Sequence, residues 1–359
     1  MAVIRRLVIS PPLMNSSSPW ASEQNQLQEL FDCSFTGGVT TRTATLTGFR
    51  ETSEHIVALT NESISSVNSY GYSPHPLSTY IDYVDAILST ADASSTKPFI
   101  ISITSSSPIS LASMLDSVQR LRAKLRDGEG TTSRVGIELN TSCPNIKGSP
   151  PPAYHMTGLK PILDVLARYF REDPTLVIGL KLPPYVYATQ FDELLQSIAT
   201  YSRPDPSDES RRVSPFAFLT STNTLGQTLF FAEQAVPLPG KAAASEEVAT
   251  PTGFALPTVL GGMAGEALHP LALGNVYTLR RLLDTHEEFS LHDISIIGVG
   301  GVTTREAHAR MRRAGASVVA CATILVRNGV GIFEKLSIAD DNRGSGHSGT
   351  DLTGLSSGA

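Results

Sequence analysis

Val135-Gly-Ile-Glu-Leu-Asn-Thr-Ser-Cys-Pro-Asn145 opens as a short apolar run and breaks at once into Asn140, Ser142, Cys143, Pro144 and Asn145. The residues that follow, through Tyr154, form a Gly and Pro cluster that neither helix nor strand absorbs. A thiol and two carboxamides therefore sit where a strand ends and a loop begins. In parallel α/β proteins that boundary usually carries the chemistry, because the strand fixes position while the loop closes over a ligand. The alternative is a buried cysteine serving as a small hydrophobe. The polar, turn-forming flanks of Cys143 favour the chemical reading.

Outward from this stretch, apolar runs recur at residues 12–15, 38–42, 99–103, 176–182, 216–220, 294–298 and 317–321, which with 135–140 makes eight. Helical periodicity falls between them, at residues 22–31, 77–89, 109–125, 159–171, 191–201, 271–283 and 305–314. Strand and helix taking turns imply βαβ units and a parallel sheet. Eight such strands predict a closed (β/α)8 TIM barrel over an open doubly wound sheet. The chain reads as one barrel domain over residues 1–338, with surface insertions at 203–214 and 237–257 and a disordered Gly/Ser-rich tail at 339–359.

Composition narrows the function. The 359 residues carry a formal charge of −6 and no Lys/Arg run, which argues against a nucleic-acid or anionic-membrane surface and for small-molecule partners. Cys33, Cys143 and Cys321 are too dispersed for a metal or cluster motif, and their odd number argues against a disulfide framework. No stretch approaches the roughly 18 apolar residues of a membrane span. The N-terminal residues enter a strand-like run without the features of a signal peptide, so a cytoplasmic location is expected.

Three further groups could carry chemistry. Ile296-Ile-Gly-Val-Gly-Gly-Val302 runs from the seventh strand into a glycine turn before a helix, where barrels commonly hold a phosphate. The same glycines could serve only a tight turn, and Leu260-Gly-Gly-Met-Ala-Gly265 is a second, weaker cluster. Asn68, Asn140, Asn145, Asn223 and Thr224 follow strands, and carboxamides converging there suit a flat ligand whose edge alternates N–H and C=O, such as a pyrimidine or imide. Taken singly, each is equally a turn former. Lys181 lies inside an apolar run and must find a polar partner, whereas Arg42, at the end of its strand, could simply reach solvent.

The runs Asn-Thr-Ser-Cys-Pro-Asn at 140–145, Gly-Leu-Lys-Leu-Pro-Pro-Tyr at 179–185, Ser-Val-Asn-Ser-Tyr-Gly at 66–71, Asn-Thr-Leu-Gly at 223–226 and the glycine turn at 296–301 together resemble the dihydroorotate dehydrogenases. The likeness is to the soluble, fumarate-using class, which has a cysteine base where the membrane-bound class has serine. The resemblance implies FMN at the C-terminal mouth of the barrel, dihydroorotate stacked on it, Cys143 as base and a homodimer. It places Arg42, Asn68, Asn140, Asn145, Asn223 and Thr224 at the substrate. It places Ser17, Lys181, Gly262, Gly300, Gly301 and Thr323 at the cofactor. No metal is expected.

The sequence also departs from the family pattern. Arg42 replaces a lysine, and guanidinium is larger, planar and bidentate. Tyr70-Gly-Tyr-Ser-Pro74 replaces Met-Gly-Leu-Pro-Asn on one wall, Ala322 replaces a glycine beside the phosphate, and His269 replaces a lysine near the flavin edge. An FMN enzyme for another dihydropyrimidine or enoate, and a non-catalytic flavin-binding homologue, are the alternatives at this stage.

Overall fold

The computed structural model describes residues 1–92, 94–146, 151–205, 208–236 and 253–337. Eight parallel strands form its centre: β1 (Leu13–Asn15), β2 (Val39–Thr40), β3 (Phe99–Ile103), β4 (Val135–Asn140), β5 (Val177–Lys181), β6 (Phe216–Ser221), β7 (Ser295–Val299) and β8 (Val318–Cys321). They lie in sequence order, with β8 returning to pair with β1, and a parallel bridge from Met14 to Gly38 brings β1 against β2. The ring is the (β/α)8 barrel expected from the alternation. Most of these strands are buried on both faces, which is why they read as unbroken apolar runs rather than alternating ones.

Helices α1 (Gln24–Asp32), α2 (Leu77–Thr90), α3 (Pro108–Lys124), α4 (Met156–Glu172), α5 (Ala188–Ala199), α6 (His269–Asp284) and α7 (Arg305–Arg313) fall between the strands. In α4, Leu159, Ile162, Leu163, Leu166 and Phe170 are buried, a helical stripe facing the sheet. Caps set the starts: the Thr304 hydroxyl accepts from the Ala307 N–H at 3.2 Å, and Ser107 from Ser110 at 3.3 Å.

Two features lie outside the sequence expectation. The N-terminal run is a hairpin, Ala2–Ile4 paired with Leu7–Ile9, whose Ile4, Leu7 and Ile9 are fully buried against Phe218, Ile100, Val177 and Val318 inside the barrel. Burying these three side chains contributes roughly 5–9 kcal/mol and leaves the opposite end for a ligand. The second is a five-stranded antiparallel sheet made of Val57–Thr60, Ser65–Asn68, Leu225–Leu229, Ala235–Val236 and Leu260–Gly265. Its register pairs Gly262 with Asn68, so two motifs outside the eight expected strands are neighbouring strands.

The strand at 38–42 is shorter than expected and ends at Thr40. The excursion at 203–214 contains an exposed hairpin, Arg203–Asp205 against Asp208–Val213. Residues 237–252 of the other excursion, and the tail at 339–359, lie outside the described residues. Ala255 and Leu256, near the end of that excursion, are buried beneath the antiparallel sheet with Ala58 and Val67. Among the described residues no helix is long and apolar enough to cross a membrane.

Candidate active site

The C-terminal ends of the barrel strands open into two adjoining cavities of about 700 and 490 Å³, which share Ser17, Lys181, Asn223, Thr224, Ala322 and Thr323 on their walls. Strand after strand contributes a residue: Ser17 beyond β1, Arg42 beyond β2, Asn140 at the end of β4, Lys181 at the end of β5, Thr222 beyond β6, Gly300 beyond β7 and Ala322 beyond β8. The antiparallel sheet adds Val57, Ser66, Asn68 and Ala264 and so roofs the mouth.

In the first cavity the carboxamides expected from the sequence meet. The Asn145 side-chain N–H2 donates to Asn68 Oδ1 at 3.0 Å, Asn68 O at 3.1 Å and Tyr70 O at 2.8 Å. Asn68 in turn donates to Gly262 O at 3.0 Å and accepts from the Tyr70 N–H at 3.2 Å. Across the cavity, Asn140 Oδ1 accepts from Ser142 N–H at 3.1 Å and from Asn223 at 3.3 Å, while its N–H2 donates to Thr43 Oγ1 at 3.0 Å. Asn223 also donates to Ser142 Oγ at 2.9 Å, and its own oxygen accepts from Thr224 N–H at 2.8 Å. Each carboxamide is thereby held at a fixed orientation by protein partners, leaving its remaining hydrogen-bonding capacity for a ligand.

Cys143 stands on the wall of this cavity with its Sγ 4.0 Å from Tyr70 O. Burial pushes its thiol up to about 11; the backbone N–H of Asn145 and the cations Lys181 and Arg42 offset this only in part. The resting sulfur is therefore a protonated thiol. Tyr72 also lines the cavity, and burial raises its phenol, with the nearby Cys143 adding to the effect.

The two cations behave differently from one another. Arg42 does not reach solvent: its guanidinium is buried, pairs with Glu51, donates to Tyr72 O at 3.2 Å and lies 5.5 Å from the Tyr70 ring. Lys181 is buried with its Nζ 3.1 Å from Ser16 Oγ and 3.4 Å from Ser17 O. Burial lowers its affinity for the proton, and the carboxylate of Glu138 works against that shift. Glu138 is itself buried on β4 and accepts from Ser102 Oγ at 3.1 Å and Thr220 Oγ1 at 2.7 Å. Sequence reasoning missed Glu138; the signal was a lone carboxylate inside an apolar strand.

The second cavity is the glycine end. Gly300 and Gly301 line it with φ of 135° and 63°, a backbone that only glycine adopts without strain. Thr222, absent from the sequence expectation, lines the same region, and its buried hydroxyl has no hydrogen-bond partner. Ser17 and Thr323 lie on the wall common to both cavities, the Ser17 hydroxyl 2.9 Å from Thr43 Oγ1. Gly262 is the exception among the expected residues: it is buried in the roof sheet, where a Cβ would stand 2.2 Å from Thr224 Oγ1. Ala264 and Gly265 line the cavity in its place.

Residues 241–339 match the family model for dihydroorotate dehydrogenase. Over 325 residues, 90% of this chain and 86% of the relative, the chain is 29% identical to a protein of Streptococcus pneumoniae named probable dihydroorotate dehydrogenase A (fumarate). It is 28% identical, with the same coverage, to proteins of Streptococcus pyogenes and Streptococcus uberis named putative dihydroorotate dehydrogenase A (fumarate).

Proposed function

We propose that the chain is a dihydroorotate dehydrogenase, oxidising (S)-dihydroorotate to orotate with bound FMN in de novo pyrimidine synthesis and using fumarate as the electron acceptor, a reading supported by its likeness to the family model and to the streptococcal relatives. The observation that carries this reading is the Cys143 sulfur on the wall of the cavity where Asn68, Asn140, Asn145 and Asn223 converge. A homodimer in the cytoplasm accompanies the reading, by the likeness to the fumarate-using class.

The residues present fit FMN. Thr222 offers an unpartnered buried hydroxyl beside the left-handed Gly300–Gly301 turn, a pairing suited to phosphate oxygens. Lys181 offers a buried positive charge on the wall between the two cavities, suited to an electron-rich ring edge. When bound, FMN supplies two-electron redox chemistry that no side chain can provide.

The chain's own work is proton transfer and positioning. Making a C=C bond beside a carbonyl removes a proton from one ring carbon and a hydrogen with its electron pair from the next. Cys143 takes the proton at Sγ, as the thiolate. Asn68, Asn145, Asn140 and Asn223 hold the alternating edge of the pyrimidine, with Thr224 beside them. Arg42 brings positive charge toward the substrate carboxylate, tempered by its pairing with Glu51. Burial of the pocket excludes water and strengthens each of these interactions. When fumarate is reduced in the same pocket, Cys143 returns the proton.

The test is anaerobic addition of dihydroorotate to the FMN-loaded protein, followed by fumarate. The flavin is expected to bleach and then recover, while dihydrouracil and dihydrothymine, which lack the carboxylate, leave it yellow. A protein that binds FMN and is not bleached by dihydroorotate would refute the reading.

A further inference from the structure

We propose that His269 and Arg310 form a relay that fixes the peptide between Gly300 and Gly301, so that its N–H is presented to the phosphate of the cofactor. The inference rests on the FMN reading above and assigns two positioning residues to it.

The argument begins with proton bookkeeping. Arg310 Nε lies 3.3 Å from His269 Nε2, and His269 Nδ1 lies 2.8 Å from Gly300 O. Arginine cannot give up its proton, so it donates and His269 Nε2 accepts. The imidazole is then neutral with its proton on Nδ1, the tautomer that donates to the Gly300 carbonyl. Arginine thus selects the tautomer, and the tautomer holds the carbonyl.

The peptide's own geometry carries the effect to the cavity. The bond from Gly300 to Gly301 is trans, so the Gly301 N–H points opposite to the Gly300 carbonyl. Gly300 and Gly301 line the second cavity and His269 does not. With the carbonyl drawn to His269, which is off the cavity wall, the N–H faces away from His269 and toward the cavity that Gly300 and Gly301 line.

Such a lock has a reason to exist. Glycine on both sides of a peptide removes the steric preference that would otherwise fix its orientation. A flip would turn a carbonyl dipole toward an anion where an N–H is wanted. Packing shares the task from the other side: a Cβ on Gly301 would sit 2.6 Å from His269 Cβ and 2.7 Å from Gly265 O. Arg310 is exposed on α7, so the relay starts at the surface and ends at the cavity.

Affinity for FMN compared with riboflavin, which lacks the phosphate, isolates the effect. The measurement is quenching of flavin fluorescence on titration into flavin-free protein. His269→Ala and Arg310→Met are expected to weaken FMN by roughly tenfold to a hundredfold, as for loss of a hydrogen bond to a charged group, and riboflavin by less than about twofold on the same reasoning. His269→Asn, whose amide N–H2 takes the place of Nδ1–H, is expected to restore most of the preference for FMN. Equal weakening of both flavins, or unchanged FMN affinity in both the Ala and Met variants, would overturn the relay. A wild-type protein that binds riboflavin as well as FMN would overturn the phosphate site and the relay with it. Wild-type protein that binds neither flavin would sink the FMN reading itself.

Discussion

The pH dependence of the reductive step follows directly from the surroundings of Cys143. Its thiol is pushed up to about 11 by burial, and only the thiolate can accept the proton. At pH 7 the gap is 11 − 7 = 4 units, so about one thiol in ten thousand is ionised. Below the titration each unit of pH raises that fraction tenfold, so between pH 7 and 9 the rate should climb by about a hundredfold. The assay is anaerobic stopped-flow bleaching of the FMN-loaded protein by saturating dihydroorotate across that range. In parallel, Cys143→Ser replaces the thiol with a far weaker acid of similar size. It should keep the yellow colour and bind dihydroorotate, yet be reduced about 10²–10⁴-fold more slowly, the usual span for loss of a general base. A rate that is flat between pH 7 and 9, or a serine variant that bleaches at the wild-type rate, would refute proton transfer by this sulfur.

Other outcomes follow from named contacts. Asn145→Ala removes the bonds to Asn68 and Tyr70 and should raise KM for dihydroorotate more than it lowers kcat, by an amount worth about 1–3 kcal/mol, in steady-state kinetics. Glu138→Gln leaves the buried Lys181 without its nearby carboxylate and should destabilise the protein, read as a lowered midpoint in denaturant. Gly301→Val meets His269 and Gly265 and forces a left-handed backbone on a branched residue, so flavin content after purification should collapse. Stability itself should fall above about pH 9. The folded thiols of Cys143 and Cys321 are raised to about 11 and about 12, so the unfolded chain releases protons first and binds fewer than the folded one. The loss should accumulate as pH rises through that window, and urea melts at pH 8, 9 and 10 would reveal it.

The barrel was legible because its strands are buried on both faces and its helices carry one apolar stripe, both local patterns. Phe99–Ile103 and Val135–Asn140 could hardly be read otherwise. The roof sheet was not legible. Ser65–Asn68 and Leu260–Gly265 are short and rich in Ser and Gly, and their pairing with each other spans nearly two hundred residues. For the site, the strand direction brings Asn140, Lys181, Asn223 and Gly300 to one mouth, a placement legible from their position at or after strand ends. Gly262, expected from the resemblance and not from its position, lies within a strand of the roof and is covered by Thr224. Position alone did not single out Glu138 or the His269–Arg310 pair, whose meaning lies in partners remote in sequence.

The seam where Val319 pairs with Leu13 joins segments that most of the barrel separates in sequence. During vectorial synthesis the first strand therefore waits, edge exposed, until Val319 to Cys321 have left the ribosome. Premature release before residue 318 would strand two open edges on the sheet, a geometry that invites pairing with other nascent copies. Heterologous production should accordingly gain from slower translation or a holdase, even though the finished ring offers no free edge.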